Sequence, residues 1–159
     1  TYTKGPDLLS LMCDTLREDV AYRTRIRVVS EEASFCLISR EDFLRTVRQD
    51  EKLKDYVEAY YRENLQRALY HQKCMTMNGK SGAVYSFLYN LIPLFGKECR
   101  EGILIDVQVT NDDIAGFCGI STRNSVNRIL RGLREENVIR TVDNKILILN
   151  AEYLKPYAD

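Results

Sequence analysis

The sequence predicts an α+β protein, and three patterns along the chain support that prediction. Apolar and polar residues alternate as in strands near the start, a long stretch of helical periodicity follows, and the last third mixes short helices with strand-like runs. With 159 residues, the chain is long enough for one domain or two small ones. We expect a β remnant with a short helix over residues 1–47, a long central helix over 48–78 and a separate domain over 79–159.

Composition excludes a membrane-spanning protein. The chain carries 23 basic and 23 acidic residues, and 45% of its residues are hydrophobic, which is typical of a globular protein. No stretch approaches the roughly 18 consecutive apolar residues that a membrane span requires, so we expect no membrane partner. The first residues lack both an initiator Met and the layout of a signal peptide. We therefore expect a chain that starts partway through a longer, cytoplasmic protein.

Cysteine and histidine usage argues against a metal or catalytic site. The five cysteines include no CxxC pair, and His71 is the single histidine, which leaves too few closely spaced ligands for a zinc site. The odd number of thiols argues against a disulfide scaffold and favours a reducing compartment. We expect no metal, no catalytic residue and no enzymatic activity. The thiols are interpreted as buried or unreactive, with redox sensing by one of them as the alternative.

The first 50 residues read as short strands followed by a short helix. Apolar and polar residues alternate over residues 22–38, which predicts two strands joined by a turn, and residues 8–12 predict another. Ser39, with Asp42 three residues later, has the spacing of a helix cap. A short helix is therefore expected to begin there.

The long central helix is the clearest helical prediction. Residues 50–77 contain no Gly or Pro, and at about 1.5 Å per residue they make a helix of roughly 42 Å. One line of residues on it keeps the three- and four-residue spacing that suits a partner helix. This seam comprises Val57, Tyr61, Leu65, Ala68, Gln72 and Met75. We interpret it as a homodimer interface, with an ordinary core helix as the alternative.

Further elements follow a break in the helical pattern at Asn78 and Gly79. Ser81 is placed to cap a third helix that runs to about residue 94 and ends at Gly96. A polar loop is expected next. Residues 103–109 then alternate apolar and polar side chains, which predicts a strand with one buried face.

A helix, tight turn, helix unit follows that strand. Thr110 caps a short first helix that stops at Gly119, and Thr122 caps a second that runs to about residue 137. Ala115 and Gly119 lie four residues apart. A small residue allows the helices to cross closely, and Gly tolerates the left-handed turn conformation. This spacing predicts a helix-turn-helix.

The polar side of the second helix is strongly basic. Four arginines and no acidic residue lie between Ser121 and Arg134, and Arg and Asn side chains suit the base edges of a major groove. The candidate DNA-binding residues are Thr110, Thr122, Arg123, Asn124, Ser125, Asn127, Arg128 and Arg131, with Arg134 as a more distal phosphate contact. An arginine run alone is more typical of a solvated helix face. Combined with the turn, it favours double-stranded DNA as the partner.

Two apolar runs after the second helix predict a wing. Residues 138–142 and 145–149 flank Asp143-Asn144, a pair suited to a two-residue hairpin turn. The last 80 residues therefore read as a winged helix-turn-helix. Arg140 and Lys145 of the hairpin are candidates for contact with the phosphate backbone, with structural packing as an equal alternative.

Together these elements resemble one family. The order of β remnant, long helix, strand, helix-turn-helix and hairpin, with the segments VTNDDIAGFCGIS and SVNRILRGLREENVI, resembles the CRP/FNR superfamily of bacterial transcription regulators over essentially the whole chain. The segments NGKSGAVYSFL, LREENVI and AEYLKPYA, and a longer turn over residues 119–123, look most similar to its PrfA-like, Listeria-type branch.

The resemblance implies a partial β-roll of the cyclic-nucleotide-binding type, a homodimer joined along the long helix, and palindromic operators. It also implies that RNA polymerase is recruited or blocked, and leaves activation or repression open. By the resemblance, Arg123, Ser125 and Arg128 fall on base-reading positions. Asn124 replaces the acidic residue with which the cyclic-AMP receptor reads cytosine, so the operator is expected to differ from that receptor's.

The resemblance says less about an effector. Arg23 and Thr24 fall where family members that bind cyclic nucleotide hold its phosphate, but residues 11–14 lack the accompanying Gly-Glu pair. An exposed strand residue is therefore favoured for Arg23, and cyclic nucleotide is not expected. A glutathione-like effector is the hypothesis for the PrfA-like branch; no cofactor is assigned, and an iron–sulfur cluster in the intact protein is neither assigned nor excluded. The alternative function is a winged-helix protein-interaction module that binds no DNA.

Overall fold

The computed structural model describes residues 2–5, 7–8, 11 and 26–158 of the chain. The elements in order are α1 (Arg40–Gln49), α2 (Glu51–Met77), α3 (Gly79–Phe95), β1 (Gly96–Cys99), β2 (Gly102–Ile105), α4 (Asn111–Phe117), α5 (Arg123–Glu135), β3 (Ile139–Val142), β4 (Lys145–Ile148), α6 (Ala151–Leu154) and a 3-10 turn (Lys155–Tyr157). Helices with one small antiparallel sheet confirm the α+β prediction. Backbone contacts group the chain into two units, one of Pro6–Tyr70 and one of Thr1–Gly5 with His71–Asp159.

The strands predicted near the start are not formed in the part of them that the structure describes. Residues 26–38 contain no strand, and Leu37 is 96% exposed and Ile38 62% exposed. An extended segment becomes a strand only where a neighbour supplies hydrogen-bond partners, and the described part of this unit supplies none. Residues 22–25 and most of the strand predicted over residues 8–12 lie outside the described residues.

The two helices that follow agree with the sequence prediction. The Ser39 hydroxyl accepts a hydrogen bond from the Asp42 amide at 3.4 Å and caps α1. The Asp50 carboxylate accepts a hydrogen bond from the Leu53 amide at 3.0 Å and caps the start of α2. Within this unit, the Tyr60 hydroxyl donates to the Leu8 carbonyl at 2.7 Å, and burial raises the pKa of that hydroxyl.

Helix α3 begins earlier than predicted. The Gly82 amide already donates to the Asn78 carbonyl at 3.1 Å, so the helix starts at Gly79 and Ser81 lies inside its first turn. The assignment of Ser81 as the cap is therefore wrong. Helical geometry instead begins directly after Asn78, whose side chain makes no capping bond.

A four-stranded antiparallel sheet in the order β1-β2-β4-β3 follows α3. The loop predicted after Gly96 is wrong, because residues 96–99 pair with residues 102–105 as a hairpin. All four residues of β1 are exposed, and an edge strand without buried positions shows no alternation in the sequence. The strand predicted over residues 103–109 ends at Ile105, since its last pairing is with Ile146, next to the start of β4.

The core of the second unit lies between α3, α4, α5 and the sheet. Its fully buried apolar side chains come from every one of these elements, from α6 and from the residue before β3: Val84, Leu88, Ile105, Ile114, Val126, Leu133, Val138, Ile148 and Leu154. Burying each such side chain contributes about 1.5–3 kcal/mol. These contacts fix the orientation of α4 and α5 against the sheet.

An aromatic cluster extends this core at the end of α4. Phe117 is packed against Phe87 with ring centroids 4.8 Å apart, and against the edge of His71 at 4.9 Å. Tyr2 adds a stacked contact with Phe117 at 6.1 Å and an edge contact with Phe95 at 5.8 Å. Such pairs add stability beyond the area they bury. The first helix of the helix-turn-helix is therefore held from several sides.

Candidate nucleic-acid interface

Helix α4 is fixed at its start by a reciprocal cap. The Thr110 hydroxyl accepts from the Asp113 amide at 3.1 Å, and the Asp113 carboxylate accepts from the Thr110 amide at 3.0 Å. Both donors would otherwise lack partners in the first turn. Ile114 and Ala115 of the same helix are buried. Thr110, a predicted DNA-binding residue, therefore also starts the helix that carries the turn.

The turn has the geometry that the sequence predicts. Gly119 adopts φ +61°, a left-handed conformation that costs other residues roughly 1–2 kcal/mol. The Ile120 amide then donates to the Ala115 carbonyl at 2.8 Å and closes the turn. Thr122 begins the second helix, because its hydroxyl accepts from the Ser125 amide at 3.4 Å.

Helix α5 separates an apolar face from a polar one. Val126, Leu130 and Leu133 are buried. At about 100° per residue, the exposed polar residues fall within one arc on the opposite side. We call this arc the polar face of α5; it consists of Arg123, Asn124, Asn127, Arg128, Arg131, Arg134 and one acidic residue, Glu135. The structure thus brings the predicted side chains together on one exposed surface.

The arginines of the polar face are weakly paired at most. Arg123 lies 3.9 Å from the Asp112 carboxylate and Arg131 3.5 Å from that of Glu135, with all four side chains at least 66% exposed. Exposed pairs of this kind are worth about 0–1 kcal/mol. Among the described residues, Arg128 and Arg134 form no ion pair. The positive charge of this surface is therefore available to an external anion.

Three of the predicted contacts are also engaged within the motif. The hydroxyls of Thr122 and Ser125 lie 2.8 Å apart, within hydrogen-bond distance, and Ser125 is half-buried. The Asn111 amide group donates to the side-chain oxygen of Asn127 at 2.9 Å. This bond joins the start of α4 to the polar face and restricts the rotamers of Asn127.

A cleft of about 360 Å³ separates α5 from the hairpin. Arg123 and Arg134 line one side, and Thr141 and Asn144 of the hairpin line the other, over an apolar floor. Thr141 and Asn144 were missed as site residues by sequence reasoning, as was Gln108 before α4. The period-2 alternation of the hairpin was the available signal, because it places Thr141 on the face opposite Arg140.

The hairpin itself agrees with the prediction of a wing. Strands β3 and β4 pair directly, and Asp143 and Asn144 at the turn have φ of 48° and 61°. Two successive positive φ values are typical of the two-residue type I′ turn, which favours Asn and Asp. The unit is a winged helix-turn-helix.

The two basic residues of the wing are paired with carboxylates. The Arg140 guanidinium donates to the Glu101 carboxylate at 2.6 Å, and the Lys145 ammonium to that of Asp106 at 2.6 Å. The structure thus favours packing, the second of the two alternatives that the sequence left open for Arg140 and Lys145. Hydrogen bonds from Lys145 and then Lys97 lower the pKa of Asp106 to about 2.

The residues predicted for the dimer seam differ in exposure. Val57 is 7% exposed and thus buried in its own unit, whereas Leu65 is 59% exposed. Met75 is half-buried, with its methyl close to the turn at Gly119. The remaining seam residues are exposed: Tyr61, Ala68 and Gln72. Leu65, Ala68 and Gln72 are therefore exposed to another surface, whereas the Tyr61 hydroxyl donates to the Leu11 carbonyl at 3.1 Å.

The predicted effector residues Arg23 and Thr24 lie outside the described residues. Of the described cysteines, Cys36 and Cys99 are exposed and Cys74 and Cys118 are buried. Burial raises the pKa of the Cys118 thiol to about 12, so this thiol stays protonated and unreactive. The described part of the chain holds no cluster of metal-ligating side chains. It also has no helix with the length and hydropathy of a membrane span.

Comparisons with known proteins place this architecture. Residues 83–157 match the family described as the Crp-like helix-turn-helix domain. The chain is 44% identical to the lactate racemization regulatory protein of Lactiplantibacillus plantarum, over 97% of this chain and 70% of that protein. It is 27% identical to the listeriolysin regulatory protein of Listeria monocytogenes, over 84% of this chain and 56% of that protein. A CRP-family transcriptional regulator from Thermus thermophilus matches with a TM-score of 0.60 at 22% identity, over 69% of this chain and 55% of that one.

The winged helix-turn-helix and these similarities define a transcriptional regulator. The chain belongs to the CRP/FNR family, which confirms the resemblance stated from the sequence, and the similarity to the Listeria protein supports the PrfA-like branch. The chain spans about half the length of the Listeria and Thermus proteins, at 56% and 55%.

Proposed function

We propose that this chain binds double-stranded DNA in a sequence-specific manner, as a homodimer on palindromic operators. The observation that carries the proposal is the polar face of α5, on which four arginines point to solvent from a helix whose other face is buried. The caps and the buried face fix the conformation of α5, so its backbone needs little further ordering when it binds a partner. A rigid cationic helix of this size fits the major groove.

Position along α5 suggests the role of each side chain. Residues at the start of a recognition helix reach base edges, which assigns base reading to Arg123, Ser125 and Arg128. Asn124, beside them, is assigned the same role. Arg suits guanine and Asn suits adenine. Arg131 and Arg134, nearer the end of the helix, are assigned to phosphates, where they contribute affinity but little sequence preference.

Homodimerisation is proposed because one recognition helix cannot read a whole palindromic operator. A single recognition helix reads a short half-site, and two helices about 34 Å apart reach successive major grooves of a palindrome. The exposed part of the seam on α2, which includes Tyr61 and Leu65, is the proposed contact between the two copies. A residue from each copy then meets its counterpart across a two-fold axis.

Regulation is proposed to act through the position of the helices. An effector bound by the rest of the protein would shift the population of dimers in which both recognition helices fit the DNA. The effector is proposed to be a small molecule of the glutathione type, with Arg23 and Thr24 as candidate contacts, and not a cyclic nucleotide. The regulator is further proposed to act in the cytoplasm, to contact RNA polymerase and to have no enzymatic activity.

The proposal is tested first by selecting duplexes from a random library with the 159-residue chain and measuring their affinity by fluorescence anisotropy. We expect Arg128→Ala to lower affinity for the selected duplex by about 1–3 kcal/mol, because a bidentate base contact is lost. Arg48→Ala removes an exposed arginine from α1 and serves as the matched control. Arg134→Ala should weaken all duplexes alike and reduce the salt dependence.

The alternative is a winged-helix module that binds another protein and does not bind DNA. It predicts no binding to any duplex at low salt by the folded chain, or weak binding that Arg128→Ala leaves unchanged. Either result would contradict the role given to α5. A steep fall of affinity with salt, by contrast, follows from counterion release and supports it.

A further inference from the structure

The carboxylate of Asp106 contacts lysines from two strands of the sheet. It follows β2 directly, and its amide donates to the Phe95 carbonyl at 2.8 Å. One side-chain oxygen accepts from the Lys145 ammonium at 2.6 Å, and the other lies 2.5 Å from the Lys97 ammonium. Lys97 is on β1 and Lys145 on β4. The two ammonium groups therefore share one carboxylate of the same chain, which offsets one of their two positive charges.

These side chains lie on the sheet face that turns away from α5. Thr141 and Ile146, which pair with each other, line the cleft beside the recognition helix. Successive residues of a strand point to opposite faces. Lys145 therefore points to the other face, and so does Arg140, whose partner there is Glu101.

The contact of Asp106 with Lys145 is more shielded than the other ion pairs of the domain, whereas the side chain of Lys97 is 69% exposed. The side chains of Lys145 and Asp106 are 32% and 27% exposed, whereas those of Arg131 and Glu135 are 69% exposed each. A partly shielded, charge-assisted contact at 2.6 Å is stronger than a solvated one. A DNA phosphate would have to displace this carboxylate before it could bind Lys145.

We propose that Asp106 is a specificity-determining residue that keeps Lys145, which directly follows the wing turn at Asp143 and Asn144, from binding a DNA phosphate. Lysines at phosphates increase affinity for every sequence alike. By pairing with Lys145, Asp106 keeps non-specific affinity low, and discrimination between sequences then depends on the polar face of α5. This inference rests on the proposed function.

The inference predicts a gain of binding when a charge is removed from the protein. Asp106→Asn frees both ammonium groups. Each one that reaches a phosphate adds about 0.9 to the slope of log affinity against log salt, and up to roughly 8-fold in affinity near 0.1 M salt. Affinity for a duplex of random sequence should therefore rise several-fold, and the ratio of operator to random affinity should fall.

The matched control is Glu152→Gln. Glu152 also pairs with a lysine of the same unit, Lys155, at 3.6 Å, and it lies on α6, which packs against α3. This variant changes the net charge by the same amount without freeing a lysine of the sheet. Its affinity for either duplex should stay within about twofold of the unmodified chain.

A second variant tests the inference without disturbing Asp106. Lys145→Gln alone should bind both duplexes as the unmodified chain does, and in the Asp106→Asn background it should remove part of the gain. The inference is overturned if Asp106→Asn, shown to be folded by circular dichroism, matches Glu152→Gln, or if Lys145→Gln alone weakens binding several-fold. If the unmodified chain binds no duplex, the proposed function fails instead.

Discussion

Similar alternating apolar patterns are buried in one unit of this chain and exposed in the other. In the unit of His71–Asp159, Ile105 and Ile148 come from short alternating segments and are almost completely buried. In the unit of Pro6–Tyr70, Ile26 and Val28 also alternate with polar residues, yet they are 57% and 46% exposed. The difference lies in the partners. Alternation predicts a buried strand face only where the chain supplies a neighbouring strand and a layer to cover it.

The strongest way to sharpen this comparison is a pair of leucine substitutions, one in each unit. Leu133→Ala removes a fully buried side chain of α5 and should lower the free energy of unfolding by about 2–5 kcal/mol, because it leaves a cavity. Leu37→Ala removes a side chain that is 96% exposed and should change that free energy by less than about 0.5 kcal/mol. Urea denaturation followed by circular dichroism measures both. Equal losses would contradict the buried and exposed assignments.

A smaller effect on stability is expected when glycines of the helix-turn-helix are replaced by alanine. Gly119→Ala should destabilise by roughly 1–2 kcal/mol, because Gly119 has φ +61° and a Cβ is disfavoured there. The added Cβ would also lie 2.7 Å from the Met75 methyl, although that flexible side chain can move. Gly116→Ala is the control: it lies within α4, with no atom near its Cβ position, and should stabilise by about 0.5–1 kcal/mol. Thermal unfolding of the two variants should therefore shift in opposite directions.

The smallest effect expected concerns pH. The pKa of Asp106 falls from 3.8 to about 2 in the folded chain, so its pairing stabilises the fold above about pH 3.8 and this contribution is lost as pH falls toward 2. In the unmodified chain, the urea midpoint should thus fall more between about pH 5 and about pH 2.5 than it does in Asp106→Asn. Glu152→Gln should keep the full acid dependence. Identical acid profiles for the unmodified chain and Asp106→Asn would argue against a native ion pair.

Much of the candidate site follows from local signals. Thr110, Gly119 and Thr122 each act on groups within about five residues, through caps and a left-handed turn, so their roles are visible in the sequence. The polar face of α5 follows from helical period alone.

The features that the sequence did not reveal depend on distant partners. Strand β1 is polar and exposed, and only its pairing with β2 makes it a strand. The pairing of Lys145 with Asp106, 39 residues away, is set by the register of the sheet, which no local pattern encodes. For the same reason, the alternation within residues 26–38 predicted strands that do not form, because the described residues supply no neighbouring strand.

The exposed segment near the start also affects how the chain behaves in solution. Between Glu32 and Arg40 it carries no charge and no proline, while Phe35, Leu37 and Ile38 are all more than half exposed. Short uncharged segments of this kind that remain unpaired are the usual starting points of aggregation. Among the described residues, we therefore expect this segment, and not the helix that is proposed to bind DNA, to be the one most prone to aggregation.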